Sequence, residues 1–214
     1  MKALSKDTFL KLEVANSLSH GIGILFGVSC IPVIIALATM HKNVPGIVGA
    51  SIYGFSFLMV FTFSTLYHAF QRPQIKQVLK VFDHISIYFL IAGTYTPFIL
   101  MFKLDATGIA MLATLWGLTL AGIIFKAFFL NRFNIFSTVI YLLMGWMILA
   151  GGKAFFVAIP LPVLILVAVG GVLYSLGAVF YLWERLLYHH VIWHFFVLAA
   201  SICHYVAVLL AVTF

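Results

Sequence analysis

Six of the eight histidines in this chain gather towards one side of its apolar stretches, the side that also carries most of the lysines and arginines: His20, His68, His84, His189, His190 and His194. His190 and His194 are four apart, so on a helix they share one face, one turn from each other. Two imidazoles at that spacing can hold a single zinc ion, the geometry that H-E-x-x-H uses. Ser64 and His68 repeat the four-residue spacing, and Glu13, Asn16 and His20 follow at three and four. Depth agrees with spacing: His68 precedes Arg72 by four residues, and His190 and His194 follow Arg185 by five and nine. With a rise of about 1.5 Å per residue, these side chains can share a layer one to two turns below a membrane surface.

The chemistry expected of this layer is a zinc site made by His68, His190 and His194. Zinc on three neutral imidazoles keeps an open fourth position, and catalytic zinc lowers the pKa of its water towards about 7. Asp83 is expected as a general base or as a hydrogen-bond partner of the water or a ligand imidazole. Ser64, one turn before His68, is placed to steady the water or a substrate carbonyl. The candidate catalytic residues are therefore Asp83 and Ser64. Glu13, Asn16 and His20 form a supporting polar cluster, either a hydrogen-bonded helix start or part of the catalytic layer. His84 is expected to point away from its neighbour Asp83, and His189 to lie at the interface. His204 sits ten residues past His194, about 15 Å deeper along a helix, and is expected to bond between helices.

Such a layer needs elements to hold it, and composition says what they are. Of the 214 residues, 64% are hydrophobic and 8% charged, with a mean hydropathy of +1.19. A soluble domain carries about 25% charged residues; this chain cannot cover its surface with polar groups, so its solvent is lipid. A helix needs about 20 apolar residues to cross the hydrocarbon core, so the expected fold is all-α, a single domain of seven transmembrane helices over residues 1–214. The predicted spans are 17–38, 45–70, 81–102, 107–128, 134–152, 161–183 and 190–213. They are separated by His41-Lys42-Asn43 with Pro45, by Gln71-Arg72-Pro73 through Lys80, by Lys103-Leu104-Asp105, by Asn131-Arg132 with Asn134, by Gly151-Gly152-Lys153 and by Glu184-Arg185. The first apolar stretch is too long, and too polar at its start, for a cleavable signal peptide. Thr94-Tyr95-Thr96-Pro97 predicts a kink, with the threonine hydroxyls covering freed backbone groups. Cys30 and Cys203 fall within apolar spans and read as small hydrophobes.

Orientation follows from the distribution of Lys and Arg. One side receives Lys2, Lys6, Lys11, Arg72, Lys76, Lys80, Lys126, Arg132 and Arg185, the other only Lys42, Lys103 and Lys153. This bias predicts a cytoplasmic amino terminus, an external carboxyl terminus and a histidine layer towards the cytoplasm. The basic rim suits anionic lipid head groups; no nucleic-acid partner is expected.

The set Glu13-x-x-Asn16-x-x-x-His20, Ser64-x-x-x-His68, Asp83 and His190-x-x-x-His194 resembles the bacterial hemolysin III branch of the progestin and adipoQ receptor family. The stretches NSLSHGIG, STLYHAF, FDHISIYFLIAGTYTPF and YHHVIWHFFVLAASICHY carry the likeness, from about residue 13 onward. The resemblance implies seven helices, zinc at His68, His190 and His194, and Asp83 near the metal's water. By analogy with the ceramidase activity proposed for relatives, it implies a metal-dependent hydrolase of lipid amide or ester bonds in the inner membrane, acting among membrane lipids. The alternatives are a non-enzymatic sensor or regulator of membrane lipid state or energetics, and the cytolysis that the word hemolysin suggests. No span shows the polar stripe of a wide pore, and no carboxylate sits at mid-bilayer as an ion-coupled transporter would require.

Overall fold

The computed structural model describes residues 5–130 and 132–214; Lys2, one of the charges that predict orientation, and Asn131, in a predicted break, lie outside the described residues. The chain begins in helix at Lys6, where the hydroxyl of Ser5 accepts the Thr8 amide at 3.2 Å and caps the first turn. Helix α1 (Lys6–Met40) is followed by α2 (Val44–Ala69), α3 (Pro73–Phe102) and α4 (Ala106–Phe129). Then come α5 (Asn134–Gly145), a 3-10 segment (Met147–Gly151), the short α6 (Gly152–Ala158), α7 (Leu161–Leu182) and α8 (His189–Thr213). Seven of these segments are long and apolar enough to cross a membrane, with α5 and the 3-10 segment together making the fifth. The chain is an all-helical, multi-pass membrane protein.

The helix starts follow capping chemistry. Asn43 Oδ1 accepts the Gly46 amide at 2.8 Å ahead of α2, and Asp105 Oδ1 accepts the Gly108 amide at 3.0 Å ahead of α4. Proline occupies the first turn of α2, α3 and α7, where a missing N–H leaves no bond unmade.

Two helices extend well beyond their predicted spans. Helix α1 starts eleven residues before 17, and α3 starts at Pro73 rather than 81. The predicted break from Gln71 to Lys80 is therefore only Phe70–Arg72. Hydropathy marks where a helix enters hydrocarbon, not where its backbone becomes helical, and a charged sequence can stay helical in water. At about 1.5 Å per residue, the 35 residues of α1 reach about 52 Å, against about 30 Å of hydrocarbon.

The fifth crossing also departs from the straight helix expected over 134–152. Its α-helical part ends at Gly145. The Tyr95 hydroxyl donates to the Gly145 carbonyl at 2.6 Å and accepts the Ile148 amide at 2.9 Å. One phenol thus satisfies both sides of the break, as an apolar medium requires. Helix α3 runs unbroken through Pro97. The hydroxyls of Thr94 and Thr96 donate to Leu90 and Ala92, so they do not cover the Gly93 carbonyl that the proline leaves free.

Packing is closest between α2 and α3, between α7 and α8 and between α1 and α2, and the inner faces of α1, α2, α3 and α8 bury Ile34, Tyr53, Phe57, Phe61, Phe98, Ile99 and Val208. Helices α2 and α3 touch backbone to backbone: a Cβ added at Gly49 would lie 2.4 Å from Pro97 Cα, so only glycine allows this approach. The outward faces carry Leu25, Val28, Leu120 and Val157, all exposed as lipid-facing side chains should be.

Candidate metal centre

Helix α2 brings His68 and α8 brings His190 and His194 to one point near the basic end of the bundle. One ligand nitrogen from each lies within 4.8 Å of the others, with His68 and His194 buried and His190 half-buried. The ring centroids of His190 and His194 are 4.6 Å apart, and those of His68 and His194 are 5.0 Å apart.

The surroundings fix which nitrogens face inward. Nδ1 of His194 lies 3.2 Å from the Asn16 carbonyl oxygen and 3.2 Å from Ser19 Oγ. A proton on Nδ1, donated to that carbonyl, leaves the Nε2 lone pair free, the arrangement usual for metal-binding histidines. Nδ1 of His68 lies 3.4 Å from Glu13 Oε2, close enough for carboxylate influence but not aligned as a hydrogen bond. Both His68 nitrogens are buried without a hydrogen-bond partner among the described residues. Orphaned buried nitrogens are costly unless something else binds them, and three converging imidazoles form a donor set that a divalent metal ion satisfies. The three histidines fit a metal ion.

The polar cluster of α1 forms the outer layer of this group. His20 stacks on His194 with ring centroids 3.7 Å apart. Glu13 accepts from Gln71 Nε2 at 3.2 Å and is ion-paired with Lys76. Lys76 also donates to the Tyr67 carbonyl at 3.0 Å. Sequence spacing did not reveal Ser19 or Lys76. Ser19 carries a signal of its own, standing one residue before His20 on the polar stretch of α1, whereas Lys76 reads only as a topogenic charge.

A cavity of about 360 Å³ opens beside the histidines and runs deep between α3, α5, α7 and α8. His20, Ser64, Asp83, His190 and His194 line its polar head, and Leu90, Phe98, Leu142, Ile148 and Val197 line its body. Asp83 stands on the wall outside the three-histidine group; its nearest ionic partner is His84 Nδ1 at 3.8 Å. His84 lines the same cavity, contrary to the expectation that it points elsewhere; its Nδ1 lies 2.8 Å from the Lys80 carbonyl, which turns the ring inward. Ser64 is buried, and its hydroxyl has no hydrogen-bond partner among the described residues. This sets it apart from Ser51, Ser56, Thr94, Thr119 and Ser175, each of which donates to the carbonyl four residues earlier. His204 Nε2 lies 3.2 Å from the Val167 carbonyl on α7, and His189 Nδ1 lies 3.2 Å from the Tyr181 carbonyl.

Seven helices long and apolar enough to cross a membrane and a group of three histidines that could hold a metal ion define the class: a polytopic membrane protein with a candidate metal site. The chain belongs to the hemolysin III family, whose model, described as haemolysin-III related, matches residues 9–205. It is 40% identical over 201 residues to hemolysin-3 of Bacillus cereus, covering 94% of this chain and 92% of that one. It is 40% identical over 200 residues to a hemolysin-3 homolog of Bacillus subtilis, covering 94% of each. A human protein, monocyte to macrophage differentiation factor, is 27% identical over 198 residues, covering 83% of this chain and 77% of its own. No solved structure matches the chain.

Proposed function

We propose that this protein is a zinc-dependent hydrolase that cleaves an amide or ester bond of a membrane lipid, in the manner of a ceramidase. The observation that carries this reading is a group of three imidazoles, two of which, His190 and His194, line the polar head of a deep apolar cavity. His68, His190 and His194 hold the zinc, which supplies Lewis acidity to the carbonyl and to the attacking water. The apolar body of the cavity takes the acyl chain and sets the carbonyl beside the histidines. The unpaired Ser64 hydroxyl donates to the substrate carbonyl oxygen. Asp83, on the same wall, accepts the proton of the attacking water and returns it to the leaving nitrogen or oxygen. Glu13 and the Asn16 carbonyl keep the ligand rings oriented.

The membrane is the bacterial inner membrane, with the amino terminus and the site towards the cytoplasm; the Lys and Arg bias supports this orientation. The second reading is a sensor in which the metal ties α2 to α8 without turnover, supported by the contacts that join α1, α2 and α8 around it. The free Ser64 hydroxyl and the cavity favour hydrolysis over it.

Metal analysis of the purified protein tests the centre. Wild type should hold about one zinc per chain, and His68→Ala, His190→Ala and His194→Ala should each lose it. Wild type without zinc sinks the proposal. Release of labelled fatty acid from ceramide should require zinc and be abolished in Asp83→Asn. Activity that survives both chelation and that substitution belongs to a contaminant. Reporter fusions that place the carboxyl terminus in the cytoplasm would overturn the orientation.

A further inference from the structure

Lys126 is 1% exposed, the least exposed of the charged side chains described. It stands in the last turn of α4 and lines the wall of the same cavity. Its ammonium makes no hydrogen bond or ion pair with any described residue. Burying an unpaired ammonium is among the most costly arrangements a protein can hold, and lysines near a membrane surface normally extend to water. A charge held inward at such cost is accounted for by a counter-charge that enters the cavity.

The start of α5 faces the same place. Its N-cap residue, Phe133, has left-handed backbone (φ 60°) and supplies no capping side chain. The first backbone bond into this helix is from the Ser137 amide to the Phe133 carbonyl, so the three amides before it have no partner within the helix. Asn134, Ser137 and Thr138 line the cavity together with Lys126. Ring contacts of Phe125 with Phe133 and Phe136, at 6.1 and 5.7 Å, hold the end of α4 against the start of α5. His84 lines this cavity as well.

We propose that Lys126 and the uncapped amino-terminal turn of α5 form an anion-binding subsite within the cavity, separate from the histidines. Its ligand is an acyl lipid whose head carries an anionic oxygen group, a carboxylate or a phosphate, with the chain in the apolar body of the cavity. A helix amino terminus carries partial positive charge and free amides that suit such a group, and Lys126 supplies the full charge. The inference rests on the hydrolase reading for the site it serves, and it narrows the substrate or product of that site to an acidic amphiphile.

Binding without turnover tests it. Purified protein in neutral detergent is titrated with labelled palmitate, with single-chain lysophosphatidic acid and with hexadecanol, for wild type, Lys126→Met, Lys126→Arg and His194→Ala. Wild type should prefer at least one acid over the alcohol by about tenfold or more, the loss expected when a charge-assisted hydrogen bond is missing. The preferred acid identifies the head group: palmitate points to a carboxylate, lysophosphatidic acid to a phosphate. Lys126→Met should lose that preference, Lys126→Arg should keep it, and His194→Ala should keep it although its metal is gone. Equal binding of acids and alcohol by wild type overturns the subsite without need of any variant. So does a preference that survives Lys126→Met but vanishes in His194→Ala, since the anion then sits at the metal; in that case the hydrolase reading stands.

Discussion

The Nδ1 atom of His194 lies 3.2 Å from the main-chain oxygen of Asn16, a residue 178 positions earlier in the chain. The partner is a carbonyl rather than a side chain, so it cannot be removed by substituting Asn16. Ser19 Oγ, 3.2 Å from the same nitrogen, can be. Ser19→Ala should weaken zinc binding by about tenfold, the lower end of what partners of ligand histidines contribute. Competition with a chromogenic chelator measures it, and an unchanged affinity would show that the carbonyl alone orients the ring.

Glu13 joins His68 to Lys76. Glu13→Gln should weaken zinc binding by about 10- to 100-fold, because the neutral amide no longer supports the imidazole. Lys76→Met leaves the Glu13 carboxylate buried without its cation and should lower thermal stability in detergent. The double variant should be more stable than Lys76→Met alone, since removing both charges removes the penalty. A double variant less stable than either single one would contradict this pairing.

Ser64 and Tyr95 predict opposite outcomes from the loss of one hydroxyl. Ser64→Ala removes a buried group that has no partner, so melting should be unchanged or slightly raised while lipid hydrolysis falls. Tyr95→Phe strips the partner from the Gly145 carbonyl and the Ile148 amide at once. Each orphaned group costs about 1–3 kcal/mol, so this variant should unfold at markedly lower temperature. Comparison of the two melts checks both.

Asp105 gives a pH dependence outside the membrane-spanning segments. The hydrogen bonds it accepts from the Lys103 ammonium and the Gly108 amide hold its carboxyl below the usual range. A depressed folded value means the contribution is present above the ordinary carboxylate pKa and is lost as pH falls through the lowered one. Wild type should therefore exceed Asp105→Ala in stability at neutral pH, with the difference closing in acid. A difference that grows in acid would assign the cap to the protonated form.

Much of the bundle was legible because lipid imposes a simple rule: long apolar runs must be helices, and their breaks must carry charge or turn chemistry. That rule reads hydropathy, so it missed the helical start of α1 from Lys6 and of α3 from Pro73, where water-facing residues continue the helix. The 3-10 turn after Gly145 escaped for another reason, since it depends on Tyr95 reaching across from a different helix. The spacing of His190 and His194 was visible because both lie on one helix. His68 could be matched to them only by depth. Lys126 enters the sequence only as one of the charges that set orientation, because its sequence neighbours cannot tell whether a lysine at a helix end turns to water or inward.

The order of the ligands along the chain has a consequence for how the protein is made. His68, on α2, leaves the ribosome well before His190 and His194, which lie on α8. Until α8 swings in beside α1, the imidazole on α2 has nothing to share an ion with. On the proposed zinc site, metal capture would thus come only after α8 is made, and an ion seated between the two helices would mark a chain translated through α8 and closed.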